Sequence, residues 1–394
     1  MFQVSGGAKE RQMYKICYVT TVPGTIRTFI LRSAEYLYQT GEFDISFICN
    51  PDDAITAEFP ERFHYFPVKM SRGITTDAFR AIREMKKIFK REKFDLVQYS
   101  TPNASCYASI AAKKARIPVR LYCQWGLVYV GFEGAKRKLF KAIEKKVCRN
   151  STWIEPDSFG NLEFSHAEGL YPENKGSVVW NGSASGVSLT KFDIDRKPEY
   201  RRQIREKYGI PEDAFVFGFM GRINGDKGVN ELFTAAKRLV QDDAKIYLMV
   251  VGKPEISRGV NTGLYGWAQN CPNIVFTGYT KTPEQYLSAM DCYVLPSYRE
   301  GFGMTVIEAE AMALPVIVTN IPGPTDGMIK DKTGLVVEKK DAEGLYRAML
   351  ELRQSPEKCA EFAQNGREFA AGRFEQNTLF EKIYEDRKRL LARD

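Results

Sequence analysis

Short apolar runs alternate with amphipathic stretches along the whole chain. Residues 14–20, YKICYVT, form a near-continuous apolar run and read as a buried strand. A turn at 21–24 leads into an amphipathic helix over 26–38 that ends at Gly41, and 43–49 reads as the next strand. The alternation continues with helix 76–91, strand 94–99, helix 104–115, strand 119–123, helix 134–149 and a short strand at 177–180. Residues 181–213 are rich in Gly, Ser and charge and read as an interdomain connection. A second series follows. Strands are expected at 215–220, 245–251, 273–277, 293–295, 316–319 and 334–337, and helices at 229–240, 283–290, 304–313 and 342–353. Two last helices are expected at about 357–371 and 374–393. Strand–helix–strand spacing demands parallel pairing, because a parallel strand needs a crossover. The fold class is α/β, with two Rossmann-like βαβ domains over 1–185 and 186–373 and a terminal helix over 374–394.

Length agrees with that division, since 394 residues correspond to about two domains. No run of about 18 apolar residues is present, and the first fifteen residues are polar, without a signal-peptide core. Eight cysteines are scattered with no CxxC pair, and there are only two histidines. A zinc-type metal site is therefore not expected, and buried single cysteines suit a reducing cytosol.

The net charge of +8 leaves nucleic acid, an anionic membrane or an anionic substrate as partners. Its strongest local source is 134–149, GAKRKLFKAIEKKVCR, where seven cations in 136–149 oppose one acid, Glu144. Arg137, Lys141, Lys145 and Arg149 repeat every four residues, with Leu139, Phe140, Ile143 and Val147 as the opposing stripe. This is either the solvated face of a packed helix or a surface for anionic lipid headgroups. No aromatic-interleaved basic groove or nucleic-acid motif is present, so nucleic acid is not an expected partner. The GxGxxG dinucleotide fingerprint is absent after the first strand. Asp193-Ile194-Asp195 has the DxD spacing of metal-diphosphate sites but stands alone in the polar connection, and it is read as incidental.

Candidate chemistry concentrates in 296–320, PSYREGFGMTVIEAEAMALPVIVTN. Glu300 lies in a Gly-bearing loop, and Glu308 lies on the following helix, sharing a face with Thr305. The helix N-terminus offers free amides with partial positive charge, and Gly301 and Gly303 let an anion approach the backbone. A nucleotide sugar, with its diphosphate and hydroxylated rings, matches an anion cradle beside two carboxylates. The loop 221–228, GRINGDKG, adds Arg222 and Lys227, which would face the same anion if the strand order brings the loops together.

These segments, with VVGKP (250–254), VFTGY (275–279) and GLVV (334–337), resemble the C-terminal domain of retaining GT-B glycosyltransferases of family 4. Glu300 and Glu308 match the E-x7-E signature. VTTVPGTIRTFI (19–30), QWGLVYVGFEGAKRKLFKAIEKKVCR (124–149) and NGSASGVSLTKFD (181–193) resemble the branch that assembles bacterial capsule, O-antigen and lipid-linked oligosaccharides. The resemblance implies two Rossmann-like domains facing across a cleft, with the last helix crossing back to the first. It implies transfer from a nucleotide sugar, UDP-linked, to a glycan or polyprenyl-diphosphate-linked acceptor, with retention and with neither cofactor nor metal. Arg222 and Lys227, with Gly221, would hold the donor diphosphate, and Gly24 would approach it from across the cleft. Backbone at Gly301, Phe302, Gly303, Met304 and Thr305 would hold phosphate or sugar. Glu308 would accept from the ribose, and Glu300 would orient the donor sugar. This branch often carries a His before Gly126, where this chain has Gln124-Trp125. Three readings stay open there: Gln124 or Trp125 takes the sugar contact, the donor differs, or turnover is low. The rival functions are a weak sugar-nucleotide binder and a nucleotide-sugar epimerase of the same fold. The expected location is cytoplasmic, peripheral to the plasma membrane.

Overall fold

The computed structural model describes residues 13–52, 61–71 and 77–392. The first twelve residues, Thr76 and Arg393 lie outside them, so the reading of a leaderless start and the outer ends of two expected helices fall there too. Within the described residues the chain forms two parallel six-stranded sheets. The first contains β1 (Tyr14–Val19), β2 (Phe43–Cys49), β3 (His64–Pro67), β4 (Leu96–Tyr99), β5 (Val119–Gln124) and β6 (Trp153–Pro156). The second contains β7 (Phe215–Met220), β8 (Ile246–Val251), β9 (Ile274–Gly278), β10 (Cys292–Leu295), β11 (Val316–Thr319) and β12 (Gly334–Val337). The strand orders are β3-β2-β1-β4-β5-β6 and β12-β11-β10-β7-β8-β9. Each is the same doubly wound arrangement, with its switch point between the first and fourth strands, where such sheets open a crevice at their carboxyl ends.

The strands read as apolar runs because both faces of each sheet are covered. One layer over the first sheet packs Ala81, Met85 and Phe89 beside Tyr107, Ala108 and Val147, from three neighbouring helices. The other layer buries Ile26, Ala34 and Leu37 with Ile16, Tyr18 and Phe43. The second sheet carries one continuous core from Val187 to Phe374.

Several elements differ from the sequence reading. The expected strand at 177–180 does not form. The sixth strand is Trp153–Pro156, and Gly176 makes only an isolated bridge to Ile154. Four residues with a glutamate and a proline carry too weak a pattern to be read as a strand. The same holds for edge strand β3, whose exposure is high. The helix expected over 26–38 starts at Pro23 and passes through a π turn at Ile26–Ile30 before Leu31–Gln39. The connection 181–213 contains a real helix, Lys197–Tyr208, opened by Pro198 and closed by left-handed Gly209. A further unforeseen helix covers Thr262–Asn270, and Asp193 accepts from the Asp195 amide at 3.0 Å, capping a short turn.

The two crossings between the domains run together. The Val187 amide donates to the Phe374 carbonyl at 2.7 Å, and the Gln376 amide donates to the Val187 carbonyl at 3.0 Å. Helix Pro356–Phe374 belongs to the second domain and ends there. Glu375 then caps helix Gln376–Leu391, which returns to the first sheet and buries Leu379, Phe380, Ile383 and Leu390 against it. Arg387 on this helix is 2% exposed and reaches Glu155 of β6 at 2.6 Å and Gln98 of β4 at 3.1 Å.

Candidate functional site

β7 and β10 are neighbours, so the loops that follow them lie side by side. The Tyr298 amide donates to the Asp226 carbonyl at 2.8 Å, and Arg299 donates to the Asp226 carboxylate at 2.6 Å. Lys227 pairs with Glu300 between the two loops, and Ser297 donates to the same Glu300 oxygen at 2.7 Å. The aliphatic end of Lys227 lies over Gly221. Arg222 stands at the rim, half-exposed, 3.6 Å from Glu255. Burial raises the Glu255 carboxyl, but Asn224, Arg222 and Arg258 together hold it below its ordinary value.

The helix Met304–Ala311 begins beside this pair. Its N-cap is Gly303, with φ at +83°, a left-handed conformation that a side chain would strain. No side chain caps the helix, so its first amides are left for a ligand. At the other end, Lys197 donates to the Met312 and Ala313 carbonyls at 2.7 and 2.9 Å, matching cations to the negative pole. Tyr293 donates to the Thr305 hydroxyl at 2.7 Å and fixes the first turn against β10. Glu308, one turn on, is partly buried and carries no side-chain hydrogen bond among the described residues. Burial pushes its carboxyl up to about 7, with Lys191 opposing and Glu284 adding to the shift.

The first domain supplies the opposite wall. Gly24 follows β1 at the switch of the first sheet, with open space where a β-carbon would stand. Trp125 follows β5 and packs its ring against Phe29 at 5.7 Å. Gln124 is placed differently from a sugar contact. It is fully buried behind β5, where its amide donates to Glu144 at 2.8 Å and its carbonyl accepts from Ser165 at 2.8 Å. The Phe302 ring is also turned away, 2% exposed and 5.2 Å from Phe374, so only its backbone borders the cleft.

Sequence reasoning missed Asp157, Asn161 and Asp326. Asp157 and Asn161 flank the start of helix Phe159–Ala167, and Asp326 reaches that start from the second domain. Burial pushes the Asp157 carboxyl up to about 7, and nearby Asp326 adds to the rise while Asn161 opposes it. The only signal was the unassigned S-x-x-N spacing of Ser158 and Asn161, which carries no chemistry until the second domain is placed against it.

The family description for glycosyl transferases group 1 matches residues 200–369, and that for glycosyl transferase 4-like domains matches residues 15–158. The chain carries a group 1 glycosyltransferase domain and a glycosyl transferase 4-like domain. This glycosyltransferase has the GT-B fold, two Rossmann-like domains whose carboxyl edges meet at the site just described. It is 28% identical over 370 residues to the capsular polysaccharide biosynthesis glycosyltransferase CapM of Staphylococcus aureus, covering 94% of this chain and 95% of that one. It is 25% identical to the UDP-Gal:alpha-D-GlcNAc-diphosphoundecaprenol alpha-1,3-galactosyltransferase of Escherichia coli, covering 85% and 87% of the two chains. The crystal structure of Anabaena HepE in complex with UDP superposes with a TM-score of 0.75 at 17% identity, over 96% of this chain and 100% of that one.

The cationic helix Gly134–Asn150 of the glycosyltransferase differs from its amphipathic projection. Arg137 and Lys141 are taken up by Glu168, at 3.4 and 2.7 Å. Leu139 is 51% exposed rather than buried, and only Val147 of the expected apolar stripe lies in the core. Glu144 points inward, accepting from Tyr122 at 2.9 Å. The outer face therefore presents Leu139 among Lys136, Lys138, Lys145, Lys146 and Arg149, all exposed. In the same layer, helix Asp77–Glu92 turns Arg80, Arg83, Lys87 and Arg91 to a groove of about 700 Å³ against Phe66 and Pro67. Among the described residues no helix is long and apolar enough to cross a membrane.

Proposed function

We propose that the cleft transfers a sugar from a UDP-linked donor to a lipid-linked or glycan acceptor in bacterial surface polysaccharide assembly, with retention of configuration and without a divalent metal. The observation that carries this reading is the pairing of Lys227 with Glu300 on the loop that leads into the uncapped N-terminus of Met304–Ala311, with Arg222 at the rim. A departing diphosphate gains negative charge, and fixed cations with free amides stabilise that charge in the transition state. Lys227 and the amides near Gly303–Thr305 hold the diphosphate, while Arg222 closes over it from the rim. Glu308 accepts from ribose hydroxyls. Glu300, already held by Lys227 and Ser297, orients the donor sugar. The names of the Staphylococcus and Escherichia relatives, and the UDP in the Anabaena structure, support the pathway class and the donor base.

For the acceptor, the exposed Leu139 and its ring of cations suit the inner face of an anionic plasma membrane, where each cation contributes about 1 kcal/mol. Thermal stabilisation against a panel of nucleoside diphosphates and nucleotide sugars tests the donor, since a ligand of the native state raises stability by RT ln(1 + [L]/Kd). A UDP shift enlarged by one UDP-sugar is expected; no shift with any nucleotide would overturn the reading. Sedimentation with phosphatidylglycerol vesicles, reduced in Leu139→Glu, is the expected membrane result. Equal sedimentation with phosphatidylcholine vesicles would remove the electrostatic surface.

A further inference from the structure

Glu300 is bracketed by contacts from the other domain. On one side, Arg299 extends to the loop Val128–Gly131, where a β-carbon on Gly131 would lie 2.8 Å from the Arg299 Nε. On the other side, the Asn161 side-chain amide donates to the Gly301 carbonyl at 2.8 Å. Asn161 is 4% exposed, and its own orientation is fixed from both ends. Its backbone amide donates to the Ser158 hydroxyl at 3.1 Å, and its side chain also reaches Asp157 at 3.4 Å. Gly301 is pressed into this contact: a β-carbon there would stand 2.5 Å from the Asp157 carboxylate and 3.1 Å from the Trp125 carbonyl carbon. The adjoining residue makes the reciprocal bond, with the Gly160 amide donating to Asp326 of the second domain at 3.0 Å. Asp326 also receives the Gly323 amide at 3.1 Å, so the clasp reaches two loops of that domain.

We propose that Asn161 is a positioning residue through which the N-terminal domain holds the Gly301 carbonyl and so sets the Glu300 carboxylate and the amides of the helix that follows. The proposal rests on the donor-site reading above. Peptide geometry makes the coupling direct: the Gly301 carbonyl belongs to the peptide unit that leads into Phe302 and Gly303, and Glu300 is its immediate neighbour. A backbone hydrogen bond lost there loosens a glycine-rich loop whose other hydrogen bond from the N-terminal side is that of the Phe302 amide to the Asp157 carboxylate.

The test compares Asn161→Leu, which keeps the size and removes the donor, with Asn161→Gln, which keeps the donor on a longer stem. Loss of one such bond is worth about 1 kcal/mol, so hydrogen exchange of the 299–305 amides without nucleotide should rise about fivefold in Asn161→Leu. Exchange in β7 and β8 should not change. With the UDP-sugar that gives the largest stabilisation, donor hydrolysis kcat should fall about 10- to 100-fold, as small misplacement does, while the donor KM stays within about threefold. Asn161→Gln should recover part of kcat. Unchanged exchange at 299–305, or an equal fall in donor affinity and kcat with a lowered global Tm, would overturn the proposal. Should Asn161→Leu fail to fold, Asn161→Ser carries the same comparison. If no nucleotide binds the wild type, the donor reading fails, and the exchange experiment still decides the role of Asn161.

Discussion

Lys227 and Glu300 pair across two loops that are 73 positions apart in sequence and adjacent only because β7 and β10 are neighbours. The pair places a cation and a carboxylate beside the free amides of Met304–Ala311, so the cation is held in place before any anion arrives. Preorganisation of this kind matters because no reorganisation is then needed as charge develops on a leaving diphosphate.

Lys227→Met should therefore lower turnover about 100- to 1,000-fold, the loss of about 2.7–4 kcal/mol typical of a removed oxyanion donor. The far-ultraviolet circular dichroism should be unchanged. Steady-state kinetics decide the point, and wild-type turnover in this variant would remove Lys227 from the diphosphate.

Donor affinity should rise with pH through about 7, where burial places the Glu308 carboxyl. Only the ionised form accepts from ribose hydroxyls at both oxygens. Lys191 and Glu284 are the charged groups that act on it, and they do so in opposite directions. UDP titrations between pH 6 and 8 should show the slope in wild type and none in Glu308→Gln. A slope that persists in the variant would assign the titration to another group.

Asp157 gives a stability profile of definite sign. Its native-state value of about 7 is above its ordinary range, because burial and Asp326 disfavour the carboxylate. The native state thus holds the proton more tightly than the unfolded state. The contribution is fully present below about pH 4 and is lost as pH rises through about 7. Asp157→Asn keeps the neutral shape, so its Tm should match wild type near pH 4 and exceed it increasingly up to about pH 8. A wild-type advantage at pH 8 would contradict the buried-acid account.

Arg387 anchors the returning helix, and Arg387→Met should destabilise the protein by about 3–5 kcal/mol, because Glu155 is then left buried and unpaired. Denaturant unfolding measures this directly. A change under 1 kcal/mol would mean that the helix is held by Leu379, Phe380 and Ile383 alone.

Much of this was legible in the chain. Continuous apolar runs announce strands buried on both faces, and the alternation with amphipathic helices leaves only parallel pairing. Glu300, Arg222 and Lys227 stand on loops, and Glu308 on the helix that follows, whose glycines and helix start are local features. Elements with little apolar content escaped, as β3 and β6 did, since a four-residue strand at or near an edge needs its neighbour rather than its own pattern.

Side-chain direction was decided elsewhere. A helical projection assigned Leu139 to the core, but Glu168 takes up Arg137 and Lys141, Glu144 faces inward to Tyr122, and Leu139 is left exposed. Gln124 was one candidate sugar contact because the resembled branch often carries a His before Gly126, yet a partner behind the sheet captured its amide. The sequence by itself determined the two βα series and the charged groups of the donor loops, because those follow from local periodicity and turn chemistry. Tertiary structure alone decided that Asn161 meets Gly301, that Asp326 meets Gly160 and that Lys227 meets Glu300, because contacts between residues 73 to 166 positions apart depend on strand order and domain placement, which no local pattern encodes.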